Sequence, residues 1–251
     1  LISSLRLLKS QMKKFNFKKK IRLIDLEKLK SYKLNNNSIN IINVPITIHK
    51  NYIQNCFETA FKIIRGGFSN KLINGPINKS DFLNKKYLGM TEYISSKFRV
   101  KNVAMLIYNK ELSVCPLTTH LPLKLVSKKI NRKLIKEKTI LINNFYKQNF
   151  GFKPNIAVTG LNPHCESILK FNEDKKIVLP AIKLLKKRGI KTEGPFPADT
   201  IFLKKNRKKF NVILGMYHDQ VLTPIKTLFE YDAINITIGL PFLRVTPDHG
   251  P

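Results

Sequence analysis

Apolar residues along the chain follow two spacings, one typical of helices and the other of buried strands. Residues 51–65 carry apolar side chains every three or four positions, and Gly66 ends that helical period. A second helical pattern covers residues 121–150, with an expected break near Asn131 and an end at Gly151. Short apolar runs bounded by turn residues predict strands, the first of them buried, at residues 71–74, 102–108, 111–115, 155–159, 212–216 and 234–238.

The predicted strands and helices alternate, and a further helix at residues 177–188 continues the alternation. This pattern argues for an α/β fold in which helices cover a sheet, with ligands bound beyond the carboxyl ends of the strands. The motif G-x-G-x-x-G does not occur in the sequence, so the usual Rossmann fingerprint would not hold any dinucleotide.

Three histidines each follow a strand-like run and sit beside a turn-forming Pro, Asp or Gly. They are His164, His218 and His249. An open divalent-metal site needs three neutral imidazoles from separate loops and one position left for substrate or water. Their wide separation matches no compact zinc motif, so the spacing alone leaves open that each is an ordinary packed or surface residue.

Composition allows a large buried core. The chain has 251 residues, of which 43% are hydrophobic, enough for one large domain or two lobes. No apolar stretch reaches the length that crosses a bilayer, so we expect a soluble protein. Cys56, Cys115 and Cys165 are odd in number and far apart, which argues against a disulfide framework and fits the cytoplasm. Cys165, next to His164, is a candidate nucleophile or fourth ligand, although a small residue filling a turn is the favoured interpretation.

The net charge of +30 raises nucleic acid as a partner class. The lysines are spread over the whole chain, together with many Asn and Ile, and aromatic residues are not interleaved with the basic runs as stacking platforms would be. We therefore expect charged, solvated faces without specific nucleic-acid binding. A positive field would still favour phosphorylated substrates and anionic cofactors.

Seven short motifs, in chain order, resemble those of the 4-hydroxythreonine-4-phosphate dehydrogenases of vitamin B6 biosynthesis. The matching segments are residues 74–79 (NGPINK), 89–92 (GMTE), 118–123 (TTHLPL), 160–164 (GLNPH), 194–200 (GPFPADT), 216–220 (MYHDQ) and 235–242 with 248–250 (NITIGLPF and DHG). Together they cover residues 70–251, whereas the first 70 residues match only loosely. No single motif is decisive, but seven in the right order are very specific.

The resemblance implies an isocitrate/isopropylmalate-dehydrogenase-like α/β fold with two lobes and a cleft between them. Residues 1–251 would then be one catalytic unit of two interleaved lobes, and the sequence does not predict their boundary. The family pattern also implies that segments are missing before Leu1 and after Pro251, so we expect a fragment that lacks the nucleotide-binding loop and turns over poorly. An N-terminal transit peptide is a weaker interpretation of the basic first 20 residues.

The resemblance further implies a metal site on His164, His218 and His249, holding Zn, Mg or Co. In the family the ligands of one site come from two subunits, so an obligate homodimer is expected. The cofactor would be NAD or NADP. Asp219 and Asp248 are each adjacent to a proposed ligand histidine. Each could accept a hydrogen bond that orients the imidazole, or act as the proton acceptor.

The family's substrate-binding pair corresponds to Met90 and Thr91. The family has His where this chain has Met90, and a thioether donates no hydrogen bond, so the identity of the substrate is in doubt. Thr91 has the alternative role of a helix cap. The remaining candidates have open or structural alternatives: His120 at a strand-to-helix turn, His49 on the surface, Asp199 at a cleft or cap, and Asn78 and Lys79 as an anion contact or a solvated loop.

Taken together, the residues and the resemblance predict a metal-dependent NAD(P) oxidoreductase acting on 4-phosphohydroxy-L-threonine. A same-fold dehydrogenase of another phosphorylated acid, such as a four-carbon sugar acid, is the alternative that Met90 supports. A basic nucleic-acid-binding protein or an inactive remnant is the alternative from another class.

Overall fold

The computed structural model describes residues 1–46, 52–78, 82, 87, 89–166 and 172–249. The chain divides into two compact units. The first comprises Leu1–Leu72 with Ser80–Asn84, and the second Ile73–Lys79 with Lys85–Pro251.

Three short parallel strands form the sheet of the first unit, in the order β1-β3-β2. The elements of this unit are β1 (Ile2–Ser3), α1 (Leu5–Lys14), β2 (Ile21–Leu23), a 3₁₀ turn (Leu29–Ser31), β3 (Ile39–Asn43) and α2 (Tyr52–Arg65). Ser4 caps α1, because its side chain accepts a hydrogen bond from the backbone N–H of Leu7. The apolar period of α2 buries Phe57 and Phe61, as its spacing predicts.

An eight-stranded mixed sheet carries the second unit, in the order β4-β11-β10-β5-β6-β9-β7-β8. Its strands are β4 (Lys71–Ile73), β5 (Ala104–Tyr108), β6 (Ser113–Thr118), β7 (Ile156–Thr159), β8 (Thr192–Phe196), β9 (Val212–Tyr217), β10 (Ile234–Ile238) and β11 (Leu243–Pro247). Strands β6, β9, β7 and β8 are parallel, whereas β5, β10 and β11 form antiparallel pairs. Edge strand β4 lies where the chain passes from the first unit into the second.

Helices pack on both faces of this sheet. They are α3 (Met90–Lys97), α4 (Leu123–Lys129), α5 (Arg132–Phe150), α6 (Leu179–Lys187), α7 (Ala198–Ile201), α8 (Lys204–Arg207) and α9 (His218–Phe229). Alternate residues of β5 serve opposite faces, so Leu106 packs in one core cluster with Ile142 of α5, and Ile107 packs in the other with Val221 of α9.

The predicted mixed α/β class is confirmed, and so are the predicted elements from α2 to β10 with shifts of a few residues. The break near Asn131 is real, because Asn131 caps α5 by accepting from the N–H of Leu134. Gly151 ends that helix with φ of 77°, a left-handed conformation that glycine adopts without a steric penalty.

One sequence-based expectation was wrong. The first predicted strand is not buried, since Ile73 is 80% exposed on the sheet-edge strand β4. His218 lies just past the end of β9, as expected, and it begins a twelve-residue helix, α9, that was not predicted. Pro224 lies inside that helix.

In the described part of the chain, no helix combines the length and the apolar character that a membrane crossing needs.

Candidate active site

One cavity in the second unit is lined by several of the predicted site residues. His218 and His249 line it together with Met90 and Thr91, and His120 joins them. These side chains come from the start of α3, the loop after β6, the start of α9 and the segment after β11. The fold therefore gathers most of the candidates from four separate segments of the sequence.

His218 is oriented by its neighbour in sequence. The ring Nδ1 of His218 lies 2.7 Å from Oδ1 of Asp219, a carboxylate that is itself exposed. With Nδ1 engaged as a donor, the lone pair of Nε2 is available to a ligand. Of the two roles predicted for Asp219, this geometry matches the orienting acceptor.

Asp248 is placed differently. Its side chain is 1% exposed, and one carboxylate oxygen lies 2.8 Å from Nζ of Lys226. The other oxygen, Oδ1, is buried and has no hydrogen-bond partner among the described residues, and Asp248 lines the cavity. A buried carboxylate oxygen with no donor is costly, unless it meets a proton or a cation. Next to it in sequence, His249 is exposed and stacks edge-on against Tyr231.

Met90 and Thr91 form the first turn of α3, and both are buried. The residue that caps this helix is Gly89, so the alternative role of Thr91 as a cap is wrong. Gly89 has no side chain to cap the first backbone N–H groups of α3, and such a helix start favours negative charge nearby. A side chain at position 89 would force His120 to shift, because its Cβ would lie 2.5 Å from Cε1 of that imidazole.

His120 lies in the strand-to-helix connection between β6 and α4, as predicted, and also lines the cavity. Its Nδ1 is 3.7 Å from Oε2 of Glu92, and its ring centroid is 6.1 Å from that of His218. Burial raises the pKa of Glu92, but contacts with His120, the helix backbone and Thr119 outweigh it, so the pKa lies below its usual range. Glu92 therefore stays ionised beside the imidazole.

His164 occupies a strained turn after β7. Its backbone has φ of 55°, and the following Cys165 has φ of 60°. A left-handed conformation costs about 1–2 kcal/mol for each residue that has a Cβ. The imidazole of His164 is exposed, and among the described residues it does not line the cavity that contains His218.

A buried carboxylate holds this turn in place. Asp174 is fully buried and accepts hydrogen bonds from the backbone N–H groups of Leu161 and Asn162, at 2.7 and 3.1 Å, and from the Asn162 amide at 3.0 Å. Both carboxylate oxygens are thereby satisfied. The sequence analysis did not single out Asp174, because it lies ten positions beyond the nearest motif.

One amide side chain joins the turn to the start of α9. Oε1 of Gln220 accepts from the hydroxyl of Thr159 and from the N–H of Met216, and its Nε2 donates to the carbonyl of Gly160 at 2.8 Å. Within one chain, Gln220 therefore ties the strand end that precedes His164 to the strand end that precedes His218.

Cys165 is a poor nucleophile in this setting. Burial raises the pKa of its thiol to about 11, and the negative charge of Asp174 adds to the shift. The sulfur fills the space beside Gly160, whose Cβ, if present, would lie 2.7 Å from it. The favoured interpretation of a small turn-filling residue matches these contacts.

Part of the cavity wall is polar, and the sequence did not predict its residues. Strands β10 and β11 present Asn235, Arg244 and Thr246 to the cavity, and Asn74 joins them. In sequence, Arg244 sits in the run LPFLRVTP, where a single basic residue between apolar ones reads as a surface position of a strand.

The other candidates lie elsewhere. Asp199 is exposed in the first turn of α7, which Pro197 caps, so it is not the cap. Asn78 is exposed on the loop after β4. Lys79 and His49 lie outside the described residues.

The donors around the cavity have the chemistry of a divalent-metal site. They offer imidazoles and a buried carboxylate oxygen, which are common ligands of zinc and similar ions. Within the described residues of one chain, however, no three His, Cys, Asp or Glu side chains lie close enough to hold an ion. The convergence of His164, His218 and His249 across two subunits stays a prediction.

Comparison with known proteins gives the chain a family context. The family model described as "Pyridoxal phosphate biosynthetic protein PdxA" matches residues 2–251. A 4-hydroxythreonine-4-phosphate dehydrogenase from Sulfurihydrogenibium sp. is 42% identical over 198 residues, which are 77% of this chain and 61% of that protein. The chain thus spans about three fifths of the length of this curated relative.

The chain is also similar to a solved structure and to a second curated protein with a different name. The crystal structure of 4-hydroxythreonine-4-phosphate dehydrogenase from Klebsiella pneumoniae has a TM-score of 0.83 and 27% identity, covering 99% of this chain and 80% of that one. A D-threonate 4-phosphate dehydrogenase from Pectobacterium atrosepticum is 35% identical over 199 residues, covering 78% of this chain and 61% of that protein.

Proposed function

The chain belongs to the family of the pyridoxal phosphate biosynthetic protein PdxA, and from that membership we propose that it is an NAD(P)-dependent dehydrogenase of 4-phosphohydroxy-L-threonine. The observation that carries the proposal is the placement of His218, His249 and Thr91 around one cavity. The reaction would oxidise the C3 hydroxyl of the substrate to a ketone. The resulting 3-oxo acid loses carbon dioxide to give 3-amino-2-oxopropyl phosphate, because the ketone accepts the electron pair of the breaking bond.

Asp248 fits the role of the proton acceptor in this reaction. Its Oδ1 is buried at the cavity without a hydrogen-bond partner, and Lys226 holds its other oxygen. A carboxylate fixed in this way accepts the hydroxyl proton as hydride departs. Asp219, which is exposed and bonded to His218, would instead keep that imidazole in the tautomer with a free Nε2.

We propose His164, His218 and His249 as the metal ligands, with His164 supplied by the partner subunit of a homodimer. When bound, a divalent metal would act as a Lewis acid that polarises the reacting oxygen of the substrate. NAD or NADP would accept the hydride. A cytoplasmic location goes with this biosynthetic role.

The shared metal site can be tested by mixing inactive variants. If each site takes His164 from one subunit and His218 from the other, a mixed dimer of His164→Ala and His218→Ala contains one intact site. After subunit exchange, each mixed dimer should have about half of the activity of a native dimer, because one of its two sites is complete. NAD(P)H formation from 4-phosphohydroxy-L-threonine, with the metal restored after chelation, is the measurement.

The matched control is a mixture of His218→Ala and His249→Ala. In the proposed site, His218 and His249 come from the same subunit. Every mixed dimer then lacks a complete site, and no activity should return. Recovery in this control, or none in the first mixture despite demonstrated exchange, would contradict the shared site.

Met90 favours a second candidate, the dehydrogenation of a phosphorylated four-carbon sugar acid. Met90 is 6% exposed at the cavity and offers no hydrogen-bond donor to substrate. One similar protein is named D-threonate 4-phosphate dehydrogenase. Comparing kcat/KM for both substrates decides between the candidates.

Met90→His should sharpen that comparison. The imidazole adds one polar contact, about 1–3 kcal/mol, and should lower KM for 4-phosphohydroxy-L-threonine if that is the substrate. Met90→Leu, which keeps the apolar character, is the control and should leave the preference unchanged. A preference for the sugar acid in the unchanged chain would remove the first candidate while leaving the metal proposal intact.

A further inference from the structure

Arg244 is a buried positive charge with no acidic partner. Only 2% of the residue is exposed, and no carboxylate among the described residues forms an ion pair with its guanidinium. Burial lowers the pKa of Arg244 to about 10, so the group still carries its charge at neutral pH. Buried charges in proteins are normally paired or bound to an ion, because leaving water is costly.

Two neutral groups hold the guanidinium in place. Nε donates to Oδ1 of Asn74 at 3.0 Å, and Nη1 donates to the hydroxyl of Thr237 at 3.0 Å. Thr237 is the cross-strand partner of Arg244 in the pair β10–β11, so the contact follows from the strand register. An arginine has five N–H donors, and the remaining ones have no acceptor among the described residues.

The unfilled donors belong to a group that lines the cavity of the candidate active site. Asn235, two residues before Thr237 on the same face of β10, lines it as well, and its buried Oδ1 has no hydrogen-bond partner in the described part of the chain. His218 and His249 line the same cavity. The N–H donors of Arg244 that have no acceptor among the described residues therefore belong to a residue that lines the same cavity as His218 and His249.

We propose that Arg244 is the receptor for an oxyanion of the substrate, bound in the cavity that His218 and His249 line. A guanidinium held along one edge presents its other edge as a planar fork, which matches the two oxygens of a carboxylate or phosphate. The substrate named above carries both groups, so the identity of the oxyanion rests on the proposed function. The binding of an oxyanion as such does not.

The competing explanation is structural, namely that Arg244 only ties β10 and β11 together. The two roles predict opposite changes in stability. If Arg244 serves a ligand, Arg244→Gln removes an uncompensated charge, and the melting temperature without anions should stay the same or rise. If the role is structural, Arg244→Gln and Thr237→Val both lose the same cross-strand hydrogen bond, and both should lower the melting temperature.

Anion binding is measured directly with inorganic phosphate and with acetate, by calorimetric titration of the full chain. Because charged hydrogen bonds dominate such a site, affinity for at least one of the two should fall about tenfold or more in Arg244→Gln. Arg244→Lys keeps the charge but loses the fork, and should bind with intermediate affinity. Arg132→Gln removes an exposed arginine and should bind like the unchanged chain.

Substrate analogues distinguish the source of the oxyanion. If Arg244 binds the carboxylate, Arg244→Gln should weaken 4-hydroxy-L-threonine and its phosphorylated form by the same factor. If it binds the phosphate, only the phosphorylated form should be weakened. Either outcome supports the oxyanion site.

Equal anion affinity in Arg244→Gln and the unchanged chain, or a melting temperature that falls as in Thr237→Val, would overturn the proposal. The result is separable from the proposed activity. Phosphate or acetate binding that depends on Arg244, without oxidation of either substrate, would refute the dehydrogenase and keep the oxyanion site. Substrate oxidation with an unchanged KM in Arg244→Gln would refute the oxyanion site and keep the dehydrogenase.

Discussion

The turn that carries His164 and the polar wall that carries Arg244 each contain one fully buried charge, and the surroundings treat the two charges differently. Three N–H donors from Leu161 and Asn162 saturate the carboxylate of Asp174. Two neutral groups accept hydrogen bonds from Arg244, and its other N–H donors have no acceptor among the described residues. A saturated charge shapes the backbone, whereas an unsaturated one at a cavity remains available to a ligand.

The same contrast applies to backbone strain. The turn at His164 contains two residues with positive φ, and it is held in place because its backbone donates to Asp174 and accepts from Gln220. The wall at Arg244 is regular antiparallel sheet without such strain. Rigid support around an exposed imidazole would suit the metal-ligand role that we propose for His164.

The largest effect in this comparison should come from Asp174→Asn. An amide keeps the size but places an NH₂ against the N–H groups of the turn, and it removes a charged acceptor. We expect a loss of about 2–4 kcal/mol in the free energy of unfolding, measured by chemical denaturation.

The neighbouring Glu173→Gln serves as the matched control. Glu173 also accepts from the Asn162 amide, at 3.1 Å, but it is partly exposed. Its loss should cost about 1 kcal/mol or less, because water replaces the contact. If both variants lose equal stability, Asp174 does not hold the turn in the way described.

A smaller loss is expected for Gln220→Met, which keeps the length of the side chain and removes its three hydrogen bonds. Stability to denaturant should fall by about 1–3 kcal/mol, since buried groups at both strand ends lose their partner. Gln54→Met on the exposed side of α2 is the control and should be nearly neutral. If Gln220→Met leaves the free energy of unfolding unchanged, Gln220 does not tie the two strand ends together.

The pH dependence at Glu92 should be weaker still, because a third of this side chain is exposed. Its pKa is lower in the folded chain than its ordinary value of 4.5, so the ionised group stabilises the fold above that pH. That contribution disappears as pH falls through the folded pKa. Denaturation of the unchanged chain and of Glu92→Gln should therefore differ at neutral pH and converge in acid; a difference that grows in acid would show the opposite sign.

The weakest effect should come from the exposed lysines, which contrast with Arg244 in being fully solvated. Any affinity for nucleic acid should be low, without sequence preference, and should fall steeply with salt as phosphate contacts require. Fluorescence anisotropy with labelled DNA across a salt series measures this. Tight, sequence-dependent binding at physiological salt would restore nucleic acid as a partner class.

Local patterns in the sequence were sufficient for the α/β class and for about half of the strands and helices, whereas β1, β2 and β3 of the first unit were not predicted. The caps at Asn131 and Gly151 illustrate this, because their effect depends on residues within one helical turn. The pairing of His218 with Asp219 is equally local. The motifs that resemble the dehydrogenase family were likewise readable without a structure, and the family match over residues 2–251 agrees with them.

Contacts between distant segments were decided only by the tertiary structure. Arg244 bonds to Asn74, 170 positions away, and Gln220 bonds to Gly160, 60 positions away. Neither pair leaves a periodic signal, because a single side chain reaches across strands that become neighbours only when the sheet forms. The sequence by itself determined the α/β class, about half of the strands and helices, and the motifs they carry. The strand order and register determined which charges are buried, and which of them is left for a ligand.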